Sequence, residues 1–169
     1  MQKKVKPLLA ALLAVFVAIQ FFPIEMNVSV AVPITDFTKV NNVPTAIANR
    51  LRTSCYDCHS NDTKYPWYGQ IQPVAWYMER HIRSGKKALN FSDWGNLSKR
   101  RKHSKLSAII EQMEEGKMPL AGYRYIHGKA SLNEESKAMT IDFMRHLINE
   151  QDSKKLNQFV YDSLALYIE

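Results

Sequence analysis

The sequence of 169 residues has only two cysteines and six glycines. Two cysteines are too few for a small fold held together by several disulfides. Hydrophobic residues make up 46% of the chain and charged residues 23%, an ordinary composition that excludes a wholly disordered protein, a collagen and a multi-pass membrane protein. No stretch sustains the alternating pattern of β-strands and no segment repeats. The chain is therefore expected to be mostly α-helical.

One long apolar run lies near the N-terminus, from Pro7 to Ile24, and three lysines precede it. As a helix it would reach roughly 27 Å, at about 1.5 Å per residue, which is enough to cross the hydrocarbon of a bilayer. The lysines place the N-terminus inside and the rest of the chain outside. We therefore expect residues 7–24 to be a transmembrane anchor that holds an exported protein on the periplasmic side of the inner membrane. A signal peptide cleaved after Ser29–Ala31 is the alternative.

The rest of the chain is expected to form one helical domain with a short tail. Residues 1–31 are the signal-anchor helix and the start of a tether, residues 32–150 are the domain, and residues 151–169 are a C-terminal extension with helical spacing. The predicted helices of the domain cover residues 45–52, 73–84, 98–115 and 131–149, the last starting with a Ser131–Glu134 capping box. The stretches 60–72 and 89–97 are predicted loops, and residues 25–44 an extended tether.

Both cysteines lie in one motif, Cys55-Tyr56-Asp57-Cys58-His59. The C-x-x-C-H spacing is typical of covalent haem attachment. Positions i, i+3 and i+4 share a face of one helical turn. Cys55 and Cys58 can therefore reach the two vinyl groups along one haem edge while His59 turns its imidazole to the iron. We predict one haem c, bound covalently through Cys55 and Cys58, with His59 as proximal ligand.

Three other uses of the cysteines stay open. A thioredoxin-like redox pair needs a strand–helix–strand context. A structural zinc site needs a fourth ligand, for which His81, His103 and His127 are the candidates. A plain disulfide is compatible with an exported protein, but it leaves the histidine of the motif without a role.

Met118 is the predicted sixth ligand of the iron. It lies in Gly116-Lys117-Met118-Pro119, directly after a predicted helix, and a loop methionine can direct its thioether at iron without breaking a helix. His/Met ligation suits a one-electron carrier, so we expect electron transfer and no enzymatic activity. Two alternatives stay open. The methionine can pack as an apolar filler, or His127, His81 or His103 can take its place as the sixth ligand.

A displaceable sixth ligand would change the expected function. The protein would then be a haem-based sensor or a peroxidase-like enzyme, which needs polar groups on the open side of the iron. Arg124 and His127, which follow Met118 closely, are the candidates for those groups.

Basic residues are concentrated between residues 80 and 105, a segment with a net charge of +8. Such a surface can dock an acidic redox partner, which raises the association rate more than the affinity. It can also lie against an anionic membrane, neutralise haem propionates, or be a solvated helix face. Nucleic acid is not expected as a partner of an exported protein.

The longer sequence pattern resembles a known family. The pattern consists of C-Y-D-C-H-S-N-D-T-K-Y-P-W-Y at 55–68, N-F-S-D-W at 90–94 and G-K-M-P-L at 116–120. The attachment motif followed by Met-Pro is similar to class I cytochrome c. The whole pattern resembles the exported, membrane-tethered haem-binding domain family, known mainly from Bacteroidetes-type bacteria, over about residues 32–149. The resemblance implies a single c-type haem held by the two cysteines and the histidine of the motif, with Met118 at the matching position of the sixth ligand.

Overall fold

The computed structural model describes the backbone of residues 2–165 and the side chains of residues 5–154 and 156. Within these residues the chain forms eight α-helices, three short 3₁₀ helices and no strand, so the predicted mostly helical fold is confirmed. The α-helices are α1 (Gln2–Ile19), α2 (Phe37–Val40), α3 (Thr45–Ser54), α4 (Tyr56–His59), α5 (Val74–Ala88), α6 (Lys99–Glu114), α7 (Ala121–Ile126) and α8 (Glu134–Ala165). The 3₁₀ helices are Trp67–Gln70, Phe91–Asn96 and Gly128–Ala130.

The chain divides into two compact units. The first unit consists of the residues up to Val30 together with Asp57–Asn90. The second unit consists of Ala31–Tyr56 together with the residues from Phe91 onward. Each unit is therefore built from two separate stretches of sequence.

Helix α1 carries the apolar run but ends earlier than predicted. It stops at Ile19, and the next side chain, Gln20, pairs with the backbone of Gln72. The Gln20 side-chain carbonyl accepts a hydrogen bond from the Gln72 N–H at 3.0 Å, and its amide donates to the Gln72 carbonyl at 3.2 Å. Among residues 2–165, no helix combines the length and the apolar character needed to cross a membrane. This finding corrects the transmembrane helix predicted for residues 7–24.

Two amide side chains hold the first unit together. The buried Gln72 donates from its side chain to the Phe22 carbonyl at 3.0 Å and accepts from the backbone N–H of Trp76 at 3.2 Å, which caps the start of α5. Asn27 donates to the Ser60 carbonyl at 3.0 Å. These bonds attach residues 22–27 to the start of α5 and to the segment that follows the cysteine motif.

Aromatic side chains fill the core of the second unit. Phe37 of α2 packs edge-on against Trp94 and Phe91, with ring centroids 4.8 and 5.2 Å apart. All three side chains are at most 1% exposed. The N–H of Gly95 donates to the Thr35 carbonyl at 2.7 Å and holds the two stretches of backbone side by side. Residues 25–44 are therefore not an extended tether throughout, since they include α2 with its buried Phe37, and the predicted loop 89–97 supplies core residues.

Helices α6 and α8 pack against each other in the second unit. Leu106 of α6 and Met144 of α8 are both fully buried. Helix α8 starts after Asn133, whose side chain accepts the N–H of Ser136 at 2.9 Å, so the capping box predicted at Ser131 is wrong. Residues 151–165 of the C-terminal extension continue α8 without a break, and residues 166–169 lie outside the described part of the chain.

In the first unit, α5 approaches the cysteine motif backbone to backbone. A Cβ at Gly85 would lie 2.5 Å from the carbonyl oxygen of Cys58 and 3.2 Å from its Cβ. Carbon and oxygen atoms do not approach so closely without displacement of the backbone, so only glycine allows this contact.

We expect Gly85→Ala to lower the free energy of unfolding by about 1–3 kcal/mol, because the added methyl group overpacks the contact with Cys58. Gly122→Ala in α7 is the matched control, since no atom lies within 4 Å of a Cβ there and alanine favours a helix by up to about 1 kcal/mol. Urea unfolding followed by circular dichroism measures both variants. Equal stability of the wild type and the Gly85→Ala variant would contradict the close approach.

Candidate functional site

The motif Cys55–His59 crosses from one helix to the next. Cys55 follows α3, and its N–H still donates to the Leu51 carbonyl at 2.8 Å. Cys58 and His59 lie on the single turn of α4, and all three side chains of the motif are half-buried. The first cysteine belongs to the second unit, whereas Cys58 and His59 belong to the first. Cys58 and His59 therefore share one helical turn as predicted, whereas Cys55 lies in the break between α3 and α4.

The imidazole of His59 is oriented by the end of α5. Its Nδ1 lies 3.1 Å from the carbonyl oxygen of Leu89, and because a carbonyl only accepts, Nδ1 carries the proton. Burial lowers the pKa of His59, and this effect exceeds the opposing effect of the hydrogen bonds to the Leu89 and Gly85 carbonyls. Burial therefore favours the neutral ring, and the bond to Leu89 places a proton on Nδ1.

The cysteines are present as thiols rather than as a disulfide. Burial, together with the negative charge of Asp57, raises the pKa of Cys58 to about 11. Catalytic and redox cysteines have lowered pKa values, because the thiolate is their reactive form. The environment of Cys58 favours the neutral thiol and argues against the thioredoxin-like alternative, for which no strand is found among residues 2–165 either.

Tyr56, between the two cysteines, is fixed by the core of the second unit. Its hydroxyl donates to Asp36 Oδ1 at 3.0 Å, and its ring stacks on Phe91 with centroids 5.0 Å apart. Burial, with the charge of Asp36, raises the pKa of the tyrosine. The pair of Tyr56 and Asp36 could not be recognised from the sequence pattern. The one indication in the sequence is that Asp36 lies two residues before Thr38, which is the spacing of an N-cap. In the structure the Thr38 N–H donates to Asp36 Oδ1 at 2.9 Å.

The three candidate zinc histidines have other surroundings. His81 on α5 bonds through Nδ1 to the Tyr77 carbonyl at 2.8 Å, and His103 on α6 lies 3.8 Å from Asp152. His127 follows α7 and stacks on the ring of Tyr123. In the part of the chain that the structure describes, no three His, Cys, Asp or Glu side chains are grouped so that they could hold a metal ion.

Met118 lies in the predicted loop, between α6 and α7 of the second unit, and is half-buried. Helix α6 ends in a Schellman turn, in which Gly116 has a φ of +68° and donates to the Met113 carbonyl at 3.1 Å, while Lys117 donates to the Gln112 carbonyl at 3.0 Å. The N–H of Met118 bonds to the same Gln112 carbonyl at 3.0 Å. The backbone position of the methionine is therefore fixed by the end of α6.

A family model described as a haem-binding domain matches residues 14–146 of the chain. The chain belongs to this haem-binding domain family. Searches among curated proteins and among solved structures give no match. The matched region contains the cysteine motif, all of α5 and the loop with Met118. Haem binding, predicted from the sequence, is confirmed at this level.

The residues of this haem-binding domain fit the group that the family implies. The motif offers a neutral imidazole of fixed tautomer beside two thiols, one of them held protonated. The second unit also contains two buried N–H groups, Trp94 Nε1 and Arg124 Nε, that have no acceptor within the described residues. Buried donors are nearly always paired, so these two positions are compatible with acceptors supplied by a bound group.

The raised pKa of Cys58 predicts slow alkylation. In the protein produced without haem, the Cys55→Ser variant leaves Cys58 as the only thiol. Its thiolate fraction at pH 8 is so low that iodoacetamide should react roughly 100-fold more slowly than with a free cysteine of pKa about 8.5. The rate should rise about tenfold per pH unit up to pH 10.

The same variant unfolded in urea is the control and should react like free cysteine. Fast alkylation of the folded variant at pH 7 would contradict the buried, neutral thiol and favour a redox pair.

Proposed function

We propose that the chain binds one haem c covalently, through Cys55 and Cys58, with His59 as the proximal ligand. In the attachment reaction each S–H adds across one vinyl double bond, with sulfur going to one carbon and hydrogen to the other, so no oxidant is needed. The observation that carries the proposal is the bond from His59 Nδ1 to the Leu89 carbonyl. The bond orients the imidazole on the same helical turn that carries Cys58.

We further propose that Met118 is the sixth ligand and that the protein is a one-electron carrier resembling class I cytochrome c. A haem iron that cycles between its ferric and ferrous forms would supply the redox chemistry. The support for Met118 is its position in a loop whose backbone is fixed by Gln112, and a thioether ligand favours the reduced iron. No proton transfer or nucleophilic attack is assigned to any side chain, so the proposed activity is not enzymatic.

The proposed cellular location is outside the cytoplasm, on the periplasmic side of the inner membrane. The support is the lysine cluster followed by the apolar run at the N-terminus, a pattern typical of export signals. Large apolar side chains of α1, including Leu8, Leu12 and Leu13, are about 60% exposed. Contact of this helix with lipid is part of the proposal.

The proposed partner is an acidic redox protein that docks at the start of α6. The first turn of this helix consists of four basic residues, Lys99, Arg100, Arg101 and Lys102. This first turn contains no acidic residue. Because the helix dipole places partial positive charge at this end, each cation there is unfavourable by roughly 0.3–1 kcal/mol. Cations in such a position do not stabilise the fold, so recognition of a negative surface is the better explanation for them.

Removal of the Met118 thioether tests the electron-carrier proposal. We expect the wild type, exported in a host that matures c-type cytochromes, to show a low-spin spectrum with a methionine–iron band and to resist carbon monoxide. The Met118→Ala variant should lose the band, become high-spin and bind carbon monoxide readily. Met139→Ala is the matched control, because Met139 lies on α8 and is 45% exposed.

A wild-type protein that is high-spin and binds carbon monoxide would contradict the carrier and favour the sensor or peroxidase-like alternative. A band that persists in the Met118→Ala variant would assign the sixth position to another residue. A wild type without covalent haem would overturn the proposed function as a whole.

Charge reversal tests the docking surface. Oxidation of the reduced haem protein by ferricyanide, a small anion, should be slowed about threefold or more at low salt in the Lys99→Glu/Arg100→Glu variant, because steering of the anion is lost. Lys39→Glu/Lys137→Glu changes the net charge equally at other positions and should have a smaller effect. The difference between the two variants should vanish in 0.5 M NaCl. Equal slowing in both variants would show that only net charge matters.

A further inference from the structure

Helix α1 has no apolar face turned away from solvent. Every residue from 5 to 18 is exposed, although this stretch consists mainly of leucine, valine and alanine. A helix that is apolar on all sides is normally covered by protein or by lipid. This exposure is the physical basis of the lipid contact proposed above for α1.

The end of α1 is attached to the start of α5 by hydrogen bonds within the first unit. The Phe22 carbonyl accepts from Nε2 of Gln72 at 3.0 Å and from Nε1 of Trp76 at 3.1 Å. The side chain of Gln20 makes two further bonds to the backbone of Gln72. Because these bonds fix the two helix ends to each other, a lipid surface that holds α1 also lies close to the first turn of α5.

The aromatic side chains at this junction are exposed. Phe21 and Phe22 follow α1, and Trp76 and Tyr77 lie on the first turns of α5; all four side chains are between 38% and 79% exposed. Tryptophan and tyrosine are enriched at the headgroup level of membranes, because each ring combines an apolar body with a polar group. The junction therefore suits the boundary between hydrocarbon and water.

A row of cations continues from Trp76 along α5. Trp76, Arg80, Arg83 and Lys87 recur at the three- and four-residue spacing that places side chains on one side of a helix, and all four are exposed. These four residues are called the α5 stripe. The one carboxylate of the helix, Glu79, lies with its Oε1 3.9 Å from Nη1 of Arg83. The α5 stripe is therefore positively charged, and it begins at the exposed aromatic residues.

We infer that the α5 stripe lies against the anionic phospholipid headgroups of the membrane that α1 contacts. Each Lys or Arg near such a surface strengthens binding roughly fivefold. A soluble acidic protein would use the cations alone, whereas a membrane also covers the aromatic side chains at the junction. The inference rests on the lipid contact of α1 in the proposed function, and it names the face of the first unit that meets the membrane and the class of lipid.

The test is binding of the full-length, haem-loaded protein to lipid vesicles at low salt. The wild type should bind vesicles of phosphatidylglycerol and phosphatidylcholine about tenfold more tightly than vesicles of phosphatidylcholine alone. Arg80→Gln/Arg83→Gln should lose roughly tenfold on the anionic vesicles and nothing on the neutral ones, since α1 is unchanged. Arg50→Gln/Lys129→Gln is the matched control, because it removes two exposed cations of the second unit, and it should lose less than about threefold.

The outcomes separate this inference from the proposed function. A wild type that binds both kinds of vesicle equally keeps the lipid contact of α1 but overturns the role of the α5 stripe and favours an acidic protein as its partner. Equal losses in the two double variants reduce the effect to net charge and also overturn the inference. A wild type that binds neither kind of vesicle overturns the proposed lipid contact itself, whereas covalent haem is decided separately by mass spectrometry.

If the Arg80→Gln/Arg83→Gln variant does not fold, labelling of the wild type decides the question. Lysines are acetylated with an N-hydroxysuccinimide ester, and the modified sites are identified by mass spectrometry. Anionic vesicles should remove most of the labelling at Lys87 and leave that at Lys129 unchanged. Labelling of Lys87 that is the same with and without vesicles contradicts the inference.

Discussion

The hydrogen bond from His59 to the carbonyl of Leu89 is the interaction on which the chemistry of the site depends. It links α4, which carries Cys58 and His59, to the residue that ends α5, and it orients the imidazole. The bond is possible because α5 approaches Cys58 at Gly85, where no side chain intervenes. The position of one glycine and the tautomer of one histidine are in this way parts of a single arrangement. A larger residue at position 85 would disturb the histidine and the helix packing together.

The other end of the motif is supported by a different kind of contact. Tyr56 is held in the second unit by a hydrogen bond to Asp36 and by stacking on Phe91. Asp36 also accepts from the backbone and hydroxyl of Thr38, so the same carboxylate caps α2 and anchors the tyrosine. The residue between the cysteines therefore has a structural role of its own. Its apolar ring and its hydroxyl are both satisfied by residues far away in the sequence.

Much of the helical content could be predicted from the sequence, because it is encoded locally. The stripe around Leu106 and Met113 and the stop at Gly116 define α6, and the structure has both the buried stripe and the left-handed glycine. Helix ends were less predictable, because several residues compete as caps. At the start of α8, Asn133 provides the cap that was assigned to Ser131.

The features that sequence analysis missed depend on long-range contacts. Trp94 lies in a short 3₁₀ helix, whose spacing gives no apolar stripe, yet it is fully buried because Phe37 packs against it. Likewise, nothing near Gln20 in the sequence indicates that the apolar helix ends there, since its partner is Gln72, 52 residues away. For the site, the spacing identified the two cysteines and the histidine, but Gly85 and Leu89 could be recognised only once α5 was seen beside the motif.

Burial acts on the thiol and on the imidazole of the motif in opposite directions, with one chemical consequence. It raises the pKa of Cys58 and lowers the pKa of His59, because in both cases the charged form is penalised. Both groups are therefore held neutral near pH 7. A redox dithiol needs at least one activated thiolate, which this environment does not provide. A thioether link and a neutral imidazole carry no charge, so these surroundings support the covalent attachment that we propose.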